Sequence, residues 1–349
     1  MAPELRTDPL WGHSVIMAPD RFERPGAFPP SPELTDDART CPFCQGREHE
    51  TPPALAEFPL PGGHAWQVRV IPNRYPATCD DSRGVMACPR DLWPPGVFAT
   101  TPALGRHEVI IESPEHVSSF LDLRPEEREL SFQVYAERLR VWRADPRLRF
   151  GMLFKNQGLG SGASLTHVHS QMLGLETIPE GPRMAWERQR EHYAAHHRCL
   201  MCEILNLESV RGERTIWEDD NYVVFCPFAS RVPFEVCLAP RKHASHFELE
   251  DASPKSRLAP AVSEILARLA KSLPDLTFNF ILHSAPFDIP LKDHYHWHMT
   301  ILPRRTRQAG WEWATGCMIN PLLPERAAEL LRSAGSERSV PSGKMDPDD

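Results

Sequence analysis

The densest chemistry in the chain lies in the run Asn156-Gln-Gly158-Leu-Gly160-Ser-Gly162-Ala-Ser164-Leu-Thr-His167-Val-His169-Ser-Gln171. Two imidazoles and one amide recur at every second position. In a strand that period turns His167, His169 and Gln171 to one face. The glycines just upstream let backbone amides approach an anion closely. A neutral imidazole can attack through one nitrogen while an acceptor holds the other. Chemistry on a phosphate at a histidine is what these residue types offer. The plainer reading, alternating histidines on a solvent-facing edge strand, does not account for the glycine segment beside them.

A second set of reactive side chains is more scattered. Of nine cysteines, four form two Cys-x-x-Cys pairs, Cys41/Cys44 and Cys199/Cys202. Two thiolates from one tight turn can share a tetrahedral zinc. A redox pair is the alternative; it belongs at the start of a helix after a buried strand, whereas Cys41-Pro-Phe-Cys44 follows the polar stretch Thr35 to Thr40. An odd cysteine count and no apolar stretch in Met1-Ala-Pro-Glu-Leu-Arg argue against a secreted disulfide framework. Cys79, Cys88, Cys226, Cys237 and Cys317 read as small core residues. His192, His196 and His197 read as surface histidines of an exposed helix.

The elements that must position these groups come twice. Ile111-Glu-Ser-Pro-Glu-His116-Val-Ser-Ser-Phe120 aligns with Leu238-Ala-Pro-Arg-Lys-His243-Ala-Ser-His-Phe247, at an offset of 127. His167-Val-His169 aligns with His296-Trp-His298 at an offset of 129. A Cys-x-x-Cys precedes both in each half. The larger offset of those pairs leaves about 30 extra residues in the first half, read as an insertion from Thr78 to Pro102. Each copy reads as strands, a helix, then strands. Strands are expected at Gln67–Ile71, Glu108–Glu112, Arg149–Phe154 and Thr166–Leu173, and again at Tyr222–Phe225, Phe234–Leu238, Phe278–Leu282 and His296–Leu302. Pro125 opens a helix with Phe132, Tyr135, Ala136, Leu139 and Trp142 on one face. A second helix carries Val262, Ile265, Leu266 and Leu269. The fold class is therefore α+β: two tandem units, each an antiparallel sheet with one long helix.

Composition narrows the function. The 349 residues carry 39 Lys and Arg against 47 Asp and Glu, a net charge of −8. An acidic chain suits neither a nucleic-acid backbone nor an anionic membrane. No apolar run approaches the ~20 residues of a membrane span. Thirty-six prolines, roughly twice average usage, imply many ordered turns.

Phe154-Lys-Asn156-Gln-Gly158, followed by Gly162-Ala-Ser164 and His167-x-His169-x-Gln171, resembles the signature of galactose-1-phosphate uridylyltransferases, the transferase branch of the histidine-triad superfamily. Pro19-Asp-Arg21-Phe-Glu-Arg24-Pro25 and Pro72-Asn73-Arg74-Tyr75-Pro76 resemble two further segments of that family. The resemblance implies histidine-triad-like units at residues 1–190, catalytic, and 191–334; the polar run at 335–349 reads as a disordered tail. It implies that His169 is the nucleophile of a ping-pong nucleotidyl transfer, with Gln171 and Ser164 beside it. Arg21, Arg24, Asn73, Asn156, Gly158 and Gly162 would hold the substrate. Gln171 stands where hydrolase relatives place a third histidine, which points to transfer. One zinc would join Cys41, Cys44, His116 and His167. A second metal, zinc or alternatively iron, would join Cys199, Cys202, His243 and His296; His283 and His298 match ligand positions of the best-known bacterial members, whose second site uses a glutamate and three histidines.

The two-cysteine second site and Trp311-Glu-Trp-Ala-Thr-Gly316-Cys317-Met-Ile-Asn320-Pro321 resemble the plant-type branch, which includes an ADP-glucose phosphorylase. UDP-glucose with galactose 1-phosphate is the leading substrate pair. The alternatives are ADP-glucose phosphorylase or dinucleoside polyphosphate phosphorylase chemistry, and a zinc-stabilised nucleotide-binding protein without turnover. A cytoplasmic homodimer is expected, with no nucleic-acid or membrane partner.

Overall fold

The computed structural model describes residues 2–23, 37–80, 101–250, 252–289 and 294–335. Arg24, Cys88, most of the expected insertion and the tail after Gly335 lie outside the described residues.

The chain runs through β1 (Glu4–Thr7), β2 (Ser14–Met17), β3 (Ala56–Phe58), β4 (Val68–Pro72), β5 (Gly105–Ile111), α1 (Pro125–Arg143), β6 (Phe150–Gln157) and β7 (His169–Leu175). It continues through α2 (Glu180–His196), α3 (Leu200–Arg211), β8 (Thr215–Glu218), β9 (Tyr222–Phe225), β10 (Val236–Pro240), α4 (Ala252–Ser272), β11 (Phe278–His283), β12 (His298–Pro303), α5 (Gly310–Thr315), β13 (Met318–Asn320) and α6 (Pro324–Gly335). Helix α1 starts where the sequence says it should. Pro125 occupies the first turn, where its missing N–H costs nothing, and the Glu127 carboxylate accepts from the Arg124 amide at 2.7 Å.

Ten strands form one sheet in the order β3-β4-β5-β7-β6-β11-β12-β10-β9-β8. The order reads outward from the centre as two equal sets of five, so the sequence repeat has a spatial counterpart. The seam is the antiparallel pairing of β6 with β11, from Phe278↔Gln157 to Leu282↔Leu153. The two units therefore share one continuous sheet, a pairing that no repeat in the sequence announces.

Period-2 alternation sorts the sheet into two faces. Val68, Val70, Ile110, Leu153 and Met172, with Val224, Leu238, Phe280, Met299 and Ile301, all lie on one face in a single apolar cluster with Phe132, Leu139, Val262, Ile265 and Leu269 of α1 and α4. The opposite face is left for chemistry. Register places His107, Val109 and Ile111 of β5 opposite Leu173, Gln171 and His169 of β7, on that second face.

Two features differ from expectation. His167 does not belong to the strand, which begins at His169; residues 166–168 approach it instead, with the Val168 amide donating to the Val117 carbonyl at 2.7 Å. A small sheet in the order β1-β2-β13 ties the N-terminal segment to the C-terminal one, with β13 parallel to β2. Strands this short, paired across some 300 residues, carry no local signal. Among the described residues no helix is long and apolar enough to cross a membrane.

Candidate active site

His169 opens β7 and is almost wholly buried. Its Nδ1 lies 2.8 Å from the His167 carbonyl. A carbonyl only accepts, so Nδ1 carries the proton and Nε2 carries the lone pair. The ring lines a cleft of about 210 Å³ with Ser164, Gln171, Asn73, Ile71 and Val109, and Tyr75 largely exposed. The Phe43 ring stands edge-on to both imidazoles, with centroids 5.4 Å from His169 and 5.9 Å from His167. The aromatic residue inside the first Cys-x-x-Cys thus touches both imidazoles and lines the cleft.

The glycine segment arrives from β6. Gly158 and Gly162 have φ of +81° and +88°, the left-handed range that side chains resist. A Cβ on Gly158 would fall 2.3 Å from Thr277 Cγ2, so the turn is both twisted and tightly seated. The amides of Ser161 and Gly162 donate to the Gly158 and Leu159 carbonyls. Those two amides close the turn and do not serve an anion. Ser164 lies beyond it, in the cleft wall.

Directly beneath His169, on the helix side of the sheet, sits a fully buried charge pair. Lys155 Nζ donates to Glu112 at 2.5 Å and to the His169 carbonyl at 2.8 Å. Tyr135 and Ser170 donate their hydroxyl protons to the other Glu112 oxygen. Burial pulls the Lys155 ammonium below its usual range, and Glu112 opposes that. Burial, and then the Glu112 charge, pushes the Tyr135 phenol well above its own. The network fixes the backbone of the residue that carries the reactive ring.

Two clusters of cysteine and histidine flank the sheet. In the first, Cys44 Sγ lies 3.4 Å from His116 Nδ1, and His167 Nδ1 lies 3.5 Å from Cys41 Sγ. In the second, Cys202 Sγ lies 3.4 Å from both His243 Nδ1 and His296 Nδ1. Within each set the ligand atoms all fall within 4.8 Å of one another. A tetrahedral zinc with sulfur at ~2.3 Å and nitrogen at ~2.0 Å spans an S···N separation of about 3.6 Å, so these donors are spaced for one ion. The second nitrogens agree. His167 Nε2 faces the Ser113 carbonyl and His296 Nε2 the Pro240 carbonyl, both at 2.9 Å. Each ring then carries its proton on Nε2 and turns a lone pair inward, the arrangement a metal ligand needs. The second pair does start a helix, with Cys199 capping α3; its partners are nonetheless imidazoles, which is metal rather than disulfide geometry.

The second half repeats the strand, and its His298 and Thr300 also border a cavity, but one of different lining. His298 Nδ1 faces the His296 carbonyl at 3.1 Å, as His169 does with His167. His298 is stacked on His283, and its Nε2 is buried without a partner. Burial drives His298 down to about 4 and His283 well below the usual imidazole range. Thr300, in the place of Gln171, accepts or donates to His283 Nε2 at 3.0 Å. The adjoining cavity, about 240 Å³, has a largely apolar wall that includes Leu10, Trp11, Met201 and Phe225.

Of the residues expected in the site, the structure gathers His169, Gln171, Ser164 and Asn73 at one cleft, with Asn156, Gly158 and Gly162 on the strand end and turn beside it. Arg21 is exposed on a short turn and is not in the cleft wall. The sequence reading missed His107, Asn279, Phe43 and the Lys155–Glu112 pair. An Asn inside the apolar run Phe278-Asn-Phe-Ile-Leu282 was the one visible sign of Asn279.

Paired five-stranded units, a His-x-His strand entry and two Cys2His2 clusters define an α+β fold of two tandem histidine-triad-like units. The chain belongs to the galactose-1-phosphate uridylyltransferase family, a family of nucleotidyltransferases: residues 1–179 match the model for the galactose-1-phosphate uridyl transferase N-terminal domain. It is 32% identical to the ADP-glucose phosphorylase of Arabidopsis thaliana, over 95% of this chain and 93% of that protein. It is 26% identical to the galactose-1-phosphate uridylyltransferase of Thermotoga maritima, over 96% and 99%. The crystal structure of the Arabidopsis thaliana ADP-glucose phosphorylase with bound ADP-glucose superposes with a TM-score of 0.79 at 31% identity, covering 95% of this chain and 99% of that one.

Proposed function

We propose that this protein transfers a nucleoside monophosphate from a nucleotide sugar to a phosphate acceptor through a covalent intermediate on His169. The observation that carries the reading is the His169 ring, with Nδ1–H held by the His167 carbonyl and its plane in the wall of a cleft shared with Ser164 and Gln171. Nε2 attacks the α-phosphorus. The bond from that phosphorus to the bridging oxygen breaks, and the sugar 1-phosphate leaves. The carbonyl at Nδ1 supports the positive charge that the ring acquires. An acceptor phosphate then attacks the same phosphorus and releases the imidazole. Ser164 and the amides of Gln171 and Asn156 serve as donors to phosphoryl oxygens. Zinc at Cys41, Cys44, His116 and His167 would supply rigidity; four protein ligands leave it no open position.

The substrate pair follows the likeness. A 32% relative named for ADP-glucose and a second cluster with two cysteines favour ADP-glucose with inorganic phosphate. UDP-glucose with galactose 1-phosphate is the second reading, favoured by the family model and the Thermotoga maritima relative. Protein incubated with either nucleotide sugar, labelled at the α-phosphate, should yield an acid-labile, base-stable adduct that His169→Ala lacks. No adduct from either would end the proposal.

The division near residue 190, a cytoplasmic location and a homodimer complete the reading. None of the eight described cysteines is joined in a disulfide, which suits a reducing compartment. Trp311 and Trp313 are 49% and 76% exposed, beside a broad recess that also includes Leu5 and Met184. Exposed aromatics on this scale mark contact surfaces. Sedimentation equilibrium should give twice the chain mass, and Trp313→Glu should return the monomer.

A further inference from the structure

Gln171 lines the cleft and Asn156 lies level with His169 on the same face of the sheet, and an amide is useful to a phosphate only with its NH2 end outward. Its oxygen, turned the same way, would repel the anion. The two ends of a side-chain amide have nearly the same shape, so the surrounding hydrogen bonds must decide. Here backbone groups, which have no choice of polarity, decide both.

Asn156 lies on β6, on the face that carries His169. Phe154 pairs with Gln171, so two residues further on Asn156 is level with His169. Across the seam, Asn156 pairs with Asn279 of β11. One nitrogen of Asn279 lies 2.9 Å from the Ser161 carbonyl, a pure acceptor, which identifies it as Nδ2. The same Nδ2 lies 2.7 Å from Asn156, so the Asn156 atom it meets is Oδ1. The NH2 of Asn156 is the end that remains for a ligand. Asn279 belongs to the second half of the chain, and Thr277, two residues earlier, is the residue that seats Gly158.

Gln171 is settled from the other side. The Ala77 amide donates to His107 Nδ1 at 3.2 Å, so the proton of that ring is on Nε2. His107 Nε2–H then donates to Gln171 Oε1 at 2.9 Å. Asn73 adds a second, longer donor at 3.4 Å. Its own polarity is fixed because Oδ1 accepts the Tyr75 amide at 2.8 Å. The 3.2 Å approach of Asn73 Nδ2 to His107 Nε2 is two donors sharing one oxygen. Gln171 thus also turns its NH2 to the cleft.

We propose that Asn279 and His107 are positioning residues that lock Asn156 and Gln171 with their donor ends toward the phosphoryl oxygens. The inference rests on the transferase reading for its consequence, and on the hydrogen-bond polarity alone for its geometry. It gives the second half of the chain a role in the first half's reaction without chemistry of its own.

A double-mutant cycle separates positioning from bulk structure. Single-turnover adduct formation from labelled ADP-glucose and UDP-glucose is measured for Asn279→Ala, Asn156→Ala and the pair, and for His107→Phe, Gln171→Ala and that pair. Asn279→Ala and His107→Phe should each slow the adduct about tenfold, the effect of one hydrogen bond on a charged group. In the Asn156→Ala and Gln171→Ala backgrounds the same changes should cost less than twofold, with melting temperatures unchanged. Equal losses in both backgrounds, or no loss in either, would overturn the proposal. If wild-type protein forms no adduct, the transferase reading fails, and polarity is still read from side-chain amide exchange in ¹⁵N-Asn,Gln protein. Asn279 NH2 protons should be protected and those of Asn156 and Gln171 should exchange; the reverse pattern overturns the lock.

Discussion

A buried ammonium beneath a reactive ring is worth its cost only when every charge is matched. Lys155 and Glu112 are 1% and 0% exposed at their side chains. Glu112 collects Lys155, Tyr135 and Ser170, and Lys155 gives one donor to the His169 carbonyl. Removing one partner strands the other without water. Lys155→Met should therefore lower unfolding free energy by about 3–5 kcal/mol, and adding Glu112→Leu should recover most of it. Urea denaturation of the two variants measures both. If the double variant stays stable yet forms the His169 adduct slowly, the pair acts on the ring's position as well as on folding.

At the scale of elements, each Cys2His2 cluster gathers a different piece of chain. The first joins the Cys41–Cys44 turn, the loop after β5 at His116 and the entry to β7 at His167. The second joins the start of α3, the loop after β10 at His243 and the entry to β12 at His296. Both should fill, giving two metal ions per chain by elemental analysis. Cys41→Ser with Cys44→Ser should lose one ion, several degrees of melting temperature and most adduct formation, since His167 is two residues from His169. Cys199→Ser with Cys202→Ser should lose the other ion and a comparable melting temperature, and keep more of the reaction.

Much of this was legible from spacing. The His-x-His and Cys-x-x-Cys pairs, their order in two copies and the apolar face of α1 are all local or periodic signals. The seam was not: β6 and β11 pair across more than a hundred residues, and each reads equally well as an edge or an interior strand. His107 and Asn279 were hidden for the same reason. Their meaning comes from the strand alongside, not from their neighbours in sequence. His167 was misplaced because the entry to β7 bonds to a loop and to the His169 ring, not to a neighbouring strand: the Val168 amide donates to Val117, and the His167 carbonyl accepts from His169 Nδ1.

For the whole molecule, pH dependence follows from the histidines it encloses. Burial chiefly, then the neighbouring His298, keeps His283 neutral well below its ordinary titration point. The unfolded chain binds a proton there near pH 6.5 and the folded protein does not. Stability is therefore full above that pH and falls as pH drops below it, by up to about 1.4 kcal/mol per unit for one such group. Urea midpoints between pH 7.5 and 5 should decline accordingly, and His283→Asn should flatten the slope.

The shared sheet has a further consequence. A piece ending near residue 190 would bare the inner border of β6, with its amide and carbonyl row intact and nothing beside it. Such an open border recruits whatever strand it meets. Residues 1–190 made alone should aggregate or exchange with a like fragment, and co-expression with residues 191–349 should restore a well-behaved particle. A gene fission between the copies would thus be survivable only if both products were always made together.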